Sequence, residues 1–133
     1  MINKSKKILS EISAGELLDK MSILEIKRDK VKNIDDQKEI NKEYTLLKRT
    51  KDSNIIVTEK INHLYKEIKK VNLKLWNIED KIRVCEKNKD FGEDFIEFAR
   101  SVYITNDNRF KIKSEINKLA GSNIKEIKQY VNY

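Results

Sequence analysis

The sequence predicts an all-α protein, and three observations support this fold class. The 133 residues include no proline and only three glycines, so the chain lacks the residues that the turns of a β protein require. Apolar residues recur at alternating spacings of four and three positions, which is typical of a helix that packs against another helix. The longest such series is formed by Val57, Ile61, Leu64, Ile68, Val71, Leu75, Ile78, Ile82 and Cys85.

The first predicted helix begins at Ser13, because Ser13 and Glu16 have the spacing of a capping box. It continues to about Asn33. Its apolar residues occupy more than one side, which is broader than the stripe of a surface helix. We therefore expect this helix to be largely enclosed by the rest of the chain.

A second helix is predicted from Asp35 or Asp36, either of which can cap it, and it ends at a polar turn over residues 51–54. The long apolar series then forms a third helix that returns antiparallel to the second. A turn centred in this segment would place Ile23 opposite Ile82. The first two helices would then lie nearly end to end along the third, and a first helix folded back on its neighbour is the alternative.

Two cap signatures after the third helix predict two further helices. The first signature is Asp90 with Glu93, and the second is the polar run over residues 105–107. The second of these helices ends before Gly121, since glycine commonly follows a helix C-terminus. A short final helix is predicted from Ser122.

These elements predict a single helical domain over residues 1–133 that consists of two parts. A long antiparallel helical hairpin forms a coiled-coil arm over about residues 37–70. The N-terminal and C-terminal helices form a compact body over about residues 13–36 and 71–133. Two helices bury only one seam, so apolar residues remain on the arm and predict a homodimer joined through it. These residues are Leu46, Ile55, Ile56 and Tyr65.

Composition and charge limit the class of protein. Cys85 is the only cysteine, and no stretch has the length and apolarity of a signal peptide or a membrane span, so we expect a cytoplasmic protein. The formal net charge is +7, yet lysines alternate with acidic residues along the predicted helices, as on a solvated helix face. This distribution favours no more than weak nucleic-acid binding, which is kept as an alternative function.

No catalytic or metal-binding motif stands out in the sequence. One histidine and one cysteine do not supply a usual zinc or di-iron helical site, and no glycine-rich phosphate loop occurs. We therefore expect no cofactor, no metal and no catalytic residue. A less favoured alternative is an all-helical enzyme of the chorismate mutase type, which holds an anionic substrate with cations. The loosely similar series is Arg28, Lys38 and Arg49.

Charged residues are expected to converge in the body. Only five arginines occur among 29 basic residues, so we expect arginine where its planar, bidentate fork is needed. Helix spacing and the predicted register bring together the candidate site residues Glu16, Asp19, Lys20, Glu79, Asp80, Arg83, Glu86, Arg100, Tyr103, Asn106, Asp107, Arg109 and Lys113. They form either a charge network that sets the helix register or a site for an anionic ligand. The desolvation cost of a buried network is the reason to consider a function.

Three segments carry a resemblance to a known family. They are GELLDKMSILEIK over residues 15–27, LWNIEDKIRVCE over 75–86 and FIEFARSVYITNDNRFKIKSEIN over 95–117. These segments resemble a family of small bacterial and phage proteins classed as a domain of unknown function. The resemblance implies a genetic setting near glycosyltransferases and lipopolysaccharide or other surface-sugar genes, and it implies no established activity.

The sequence therefore predicts a non-catalytic binding or adaptor module. The resemblance adds the expectation that it serves surface-polysaccharide or glycosyltransferase systems. The predicted ligand is a partner segment or a phosphorylated or carboxylated sugar, because bidentate arginines suit such oxyanions. The expected anion donors are Arg83, Arg100, Arg109 and Lys113, and the expected hydroxyl partners are Tyr103, Asn106 and Asp107.

Overall fold

The structure is a computed structural model that describes residues 6–133, and its regular elements are four α-helices. These are α1 (Ala14–Lys30), α2 (Ile34–Asn54), α3 (Glu59–Lys87) and α4 (Glu93–Ala120). No strand occurs in this part of the chain, and the all-α prediction is confirmed. Residues 1–5, which the predicted single domain includes, lie outside the described residues.

The start of α1 is the predicted one, because the side chain of Ser13 accepts a hydrogen bond from the backbone N–H of Glu16 at 3.1 Å. The cap of α2 differs from the prediction. Asn33 takes this role, with its side chain accepting from the backbone N–H of Asp36 at 3.0 Å. The predicted polar turn over residues 51–54 is wrong, because α2 continues to Asn54. Polar residues alone do not end a helix, and the chain turns at residues 55–58 instead.

The C-terminal half contains one long helix where the sequence predicted two. Thr105, the predicted start of a second helix, lies inside α4 and is buried, and its hydroxyl oxygen has no hydrogen-bond partner among the described residues. A cap signature does not start a helix when the preceding turns already continue through it. Gly121 ends α4 with a φ of 64°, in the left-handed conformation that glycine adopts readily.

The predicted final helix from Ser122 is not formed, and residues 122–133 contain no helix. The Ser122 hydroxyl is engaged elsewhere. It accepts from the backbone N–H of Ala14 at 3.1 Å and donates to the carbonyl of Ile124 at 2.9 Å. Ser122 therefore ties the tail to the start of α1 instead of capping a new helix.

The helices pair differently from the prediction. Helix α1 packs against each of the other three helices, α3 packs along α4, and the backbone of α2 lies against that of α1 and not that of α3. The antiparallel hairpin is therefore formed by α3 and α4, where Lys81 Nζ lies 5.5 Å from the ring centre of Phe98. The arm predicted over residues 37–70 does not form by pairing α2 with α3, and the first helix folds back against the second. An apolar seam predicts that a helix packs against another apolar surface, but it does not identify that surface. Helix α2 was the expected partner of α3, yet α2 has no buried residue.

The predicted register between the first and third helices is also wrong. Helix α1 meets α3 around Asn72, whose side-chain amide contacts both Asp19 and Ser22. Further along α1, the Glu25 carboxylate accepts a hydrogen bond from the hydroxyl of Tyr65. The register depended on a turn between antiparallel α2 and α3, and this pairing is absent.

The core lies where α1 meets α3 and α4. Its buried cluster consists of Leu17, Leu18, Met21, Ile61 and Ile116. Two residues of the predicted dimer interface, Ile55 and Tyr65, pack against this cluster, whereas Leu46 and Ile56 are 53% and 88% exposed. No helix among residues 6–133 has the length and apolarity needed to cross a membrane.

Candidate functional site

Asp19 is fully buried, and side chains from α3 and α4 bind its carboxylate. Asn72 Nδ2 and Arg109 Nε donate to Asp19 Oδ1 at 2.8 and 2.9 Å. Arg109 Nη2 donates to the other oxygen, so the guanidinium binds Asp19 in a bidentate manner. These hydrogen bonds raise the pKa of Arg109 above its ordinary value. One carboxylate on α1 thereby joins three helices.

Asn72 is held in place by Ser22, which lies one turn after Asp19. Asn72 Nδ2 donates to Ser22 Oγ at 2.8 Å, and Ser22 Oγ donates to the backbone carbonyl of Asp19 at 2.7 Å. Asp19, Ser22 and Asn72 are all buried. Because these hydrogen bonds between Asp19, Ser22 and Asn72 lie away from solvent, they set the relative position of α1 and α3.

Lys113, which is buried, carries the second positive charge beside Asp19. Its Nζ lies 2.7 Å from Glu16, 3.1 Å from Glu126 and 3.8 Å from Asp19. Burial by itself lowers the pKa of Lys113, but the hydrogen bonds to Glu16 and Glu126 and the charge of Asp19 outweigh it, and the pKa is raised. Asp19 and Lys113 are buried, Glu16 and Arg109 are half-buried, and Glu126 is exposed. We call these five residues the buried charge network, after its buried centre at Asp19 and Lys113. Its three carboxylates outnumber its two cations, so it offers no surplus positive charge to an anion.

The stability of the fold is expected to decrease at alkaline pH through Lys113. A lysine whose pKa is raised by folding stabilises the folded state fully below its ordinary pKa of 10.5, and this stabilisation is lost as the pH rises through the raised value. Denaturant unfolding at about pH 8 and about pH 11 measures the loss. The Lys113→Arg variant should lose less stability between these two pH values, because its guanidinium stays charged. An equal loss in both proteins would show that Lys113 is not the cause.

Gly15 allows α1 and α4 to approach closely beside this network. Its backbone N–H donates to Asn117 Oδ1 at 2.7 Å. A Cβ atom at this position would lie 2.6 Å from the backbone oxygen of Lys113 and 2.9 Å from Asn117 Oδ1. Any side chain at residue 15 therefore requires the two helices to move apart.

A groove of about 450 Å³ lies on the outer side of the network, between α1 and the α3–α4 hairpin. Its apolar lining consists of Ile23, Ile26, Leu75 and Trp76. Its polar lining consists of Asn72, Glu79, Asp80, Arg83, Asn106 and Arg109. Asn72 and Arg109 line this groove and both donate to Asp19, so the Asp19 carboxylate holds two residues of the groove in place.

The predicted site residues divide into separate groups. The buried charge network contains four of them, Glu16, Asp19, Arg109 and Lys113. Five line the groove, namely Glu79, Asp80, Arg83, Asn106 and again Arg109. A second cavity, of about 540 Å³, lies between α4 and the tail and is lined in part by Tyr103, Asn106 and Asp107. Exposed positions outside these three features are occupied by Lys20, Glu86 and Arg100.

The expected convergence of Arg83 and Arg100 with Glu16 is not observed. Arg83 lies 3.9 Å from Glu79 on its own helix, and Arg100 lies 3.2 Å from Glu97 on its own helix. Both guanidinium groups are largely exposed. For Arg83 the register error described above accounts for the difference, because it placed the wrong part of α3 next to α1.

Sequence reasoning missed four polar residues of the network and its surroundings. They are Ser22, Asn72, Asn117 and Glu126. The available signal was Asn72, which is directly adjacent to the apolar seam at Val71 and stands one turn from Ile68. A polar residue beside a buried seam indicates a buried hydrogen-bond partner. Without the correct pairing of the helices, the sequence does not identify that partner.

The fold and the site define an all-α protein with four helices over residues 6–133, in which the buried charge network supports one side of a polar groove. The chain belongs to a family of unknown function, DUF6165, whose family model matches residues 8–133. This confirms the predicted membership in a family without an assigned function. No curated protein and no solved structure matches the chain.

Proposed function

We propose that the protein is a non-catalytic binding module whose ligand site is the groove between α1 and the α3–α4 hairpin. The observation that carries this proposal is the combination of Trp76 with the Arg83 and Arg109 guanidinium groups and the Glu79 and Asp80 carboxylates in one groove. A concave, partly apolar surface with a few polar groups is typical of a small-molecule site.

The polar groups of the groove have unused hydrogen-bonding capacity. Asp80 and the Asn106 side chain have no hydrogen-bond or ion-pair partner among the described residues. Asp19 uses two of the five N–H donors of Arg109, so this guanidinium is fixed in position and retains donors. Such groups suit a ligand that has several hydroxyls.

Arg83 is the residue best suited to bind an anionic group of the ligand. Its only ion pair in residues 6–133 is with Glu79 at 3.9 Å, and its side chain is 74% exposed. Breaking such a surface pair costs little, whereas a bidentate bond to phosphate or carboxylate is strong. The Trp76 ring adds a flat apolar face. We therefore propose a phosphorylated or carboxylated sugar, which would also suit the surface-polysaccharide setting that the resemblance implies.

Tryptophan fluorescence provides the test, because Trp76 is the only tryptophan of the chain. Titration with sugar phosphates and uronic acids is expected to give a saturable change in emission. Arg83→Gln should weaken this binding by about tenfold or more, since hydrogen bonds to charged groups contribute about 1.5–3 kcal/mol. The matched control is Arg100→Gln, an equally simple change at an exposed arginine outside the groove. No saturable change with any of these compounds, or equal weakening by both variants, would contradict the proposal.

A homodimer and a cytoplasmic location remain part of the proposal. Leu46 and Ile56 are exposed apolar residues that a second copy would cover, although Ile55 and Tyr65 already pack within the chain. Light scattering should then give about twice the chain mass of 15.8 kDa. A mass equal to that of one chain would contradict the dimer. The cytoplasmic location rests on Cys85, the single unpaired cysteine.

A further inference from the structure

The segment before α1 and the segment after α4 meet where α1 begins and α4 ends. Residues 6–13 precede α1 and residues 121–133 follow α4. Asn123 Nδ2 donates to the Glu11 carboxylate at 2.8 Å, and the backbone N–H of Ala14 donates to Ser122 Oγ at 3.1 Å. We call these two segments together the terminal surface.

The tail runs back along α4 from this junction. Glu126 lies 3.1 Å from Lys113, Lys128 Nζ lies 5.4 Å from the ring centre of Phe110, and the Tyr133 hydroxyl donates to Asp107. The tail is therefore anchored at several points, although it has no helix. The Tyr133 ring also packs edge-to-face on Tyr103 of α4 at 5.5 Å between ring centres, whereas Ile127 and Val131 remain exposed.

Apolar side chains of the terminal surface are exposed to an unusual degree. Ile8 and Leu9 are 91% and 89% exposed, and Ile127 and Val131 are 82% and 90% exposed. Single exposed apolar residues are ordinary on a protein surface, but here several occur together on two adjoining segments. Such a concentration of exposed apolar side chains indicates a surface that is covered by another apolar surface or by lipid.

The side chains of the terminal surface carry a net positive charge, because its two segments contain four lysines and two glutamates. Glu126 is paired with Lys113, whereas Glu11 accepts a hydrogen bond from the neutral amide of Asn123 and keeps its charge. Lys125 has no hydrogen-bond or ion-pair partner in the part of the chain that the structure describes. Lysines next to exposed apolar side chains are complementary to a negatively charged, apolar boundary.

We propose that the terminal surface docks on an anionic lipid membrane. The apolar side chains enter the boundary between headgroups and acyl chains, and the lysines bind the lipid phosphates. A membrane requires no shape complementarity, so it fits two irregular segments better than a folded protein partner does.

Vesicle flotation tests this proposal with the full chain. Vesicles of phosphatidylcholine with about a third phosphatidylglycerol should bind the protein, vesicles of phosphatidylcholine alone should bind it much more weakly, and added salt should weaken the binding. The double variant Ile127→Asn, Val131→Asn should reduce binding by about tenfold, because two side chains no longer leave water. Its helix content and melting temperature should equal those of the wild type, because both residues are exposed.

The matched control is Ile34→Asn, Ile56→Asn, which changes two exposed apolar residues, 71% and 88% exposed, away from the terminal surface. This control should bind vesicles like the wild type. Absence of binding to anionic vesicles, as expected if a protein were the partner, would overturn the proposal. Equal loss in both double variants, or equal binding to neutral and anionic vesicles, would also overturn it.

Discussion

Replacing Asp19 by asparagine is expected to lower the free energy of unfolding by about 3–5 kcal/mol, because removing one partner of a buried ion pair leaves the other without compensation. The amide also replaces an acceptor oxygen with an N–H donor. That donor would face Asn72 or Arg109, both of which donate to Asp19 in the native fold. Urea unfolding monitored by circular dichroism measures the change. Glu79→Gln is the control, since its carboxylate is exposed and should contribute less than about 1 kcal/mol.

The same network predicts strong coupling between Asp19 and Arg109. Arg109→Gln should also destabilise the protein, because it leaves the fully buried Asp19 carboxylate without its guanidinium. The double variant Asp19→Asn, Arg109→Gln should lose less than the two single variants added together, since neither charge is then left unpaired. Strict additivity, or an Asp19→Asn variant as stable as the wild type, would show that the network does not hold the helices together.

Gly15→Ala is expected to destabilise the protein by about 1–3 kcal/mol through overpacking. Helix propensity alone predicts the opposite sign, since alanine in a helix is favoured over glycine by about 0.5–1 kcal/mol. The added methyl would lie 2.6 Å from the backbone oxygen of Lys113, which cannot move without displacing α4. Unfolding by heat or urea determines the sign.

Asn77→Ala provides the comparison for Gly15→Ala, because Asn77 is exposed in the interior of α3. That substitution should leave the stability unchanged or raise it slightly, as propensity predicts. If Gly15→Ala behaved in the same way, the close approach of α1 and α4 at residue 15 would be wrong.

Local features of the sequence predicted two of the helix ends correctly. Ser13 caps α1 through a contact that spans three residues, and Gly121 ends α4 through its own backbone conformation. Interactions within a single turn depend little on the rest of the fold, so sequence alone identifies them. The cap signature at Thr105 failed because the turns before it were already helical and its side chain was needed inside the protein.

The sequence identified several residues of the polar site, but it did not identify how they pair. Glu16 and Asp19 lie one turn apart on α1, and Arg109 and Lys113 lie one turn apart on α4, so each pair is visible in the sequence. All four are among the candidate site residues, whereas the ion pairs between them follow only from the packing of α1 against α4. Asn117 is one turn beyond Lys113, and its contact with Gly15 follows only once α1 lies against α4.

The sequence by itself determined the helical class, the enclosed first helix, the cap at Ser13 and the two pairs of charged residues on α1 and α4. Only the tertiary structure decided that α3 packs along α4, that α2 packs along α1, and that the groove opens beside Trp76. The physical reason is the nature of the apolar seam on α3. The burial of apolar surface is non-directional, so a seam determines how much apolar surface must be covered but not by which helix. The partner helix is decided by the apolar area that each possible arrangement buries over the whole chain.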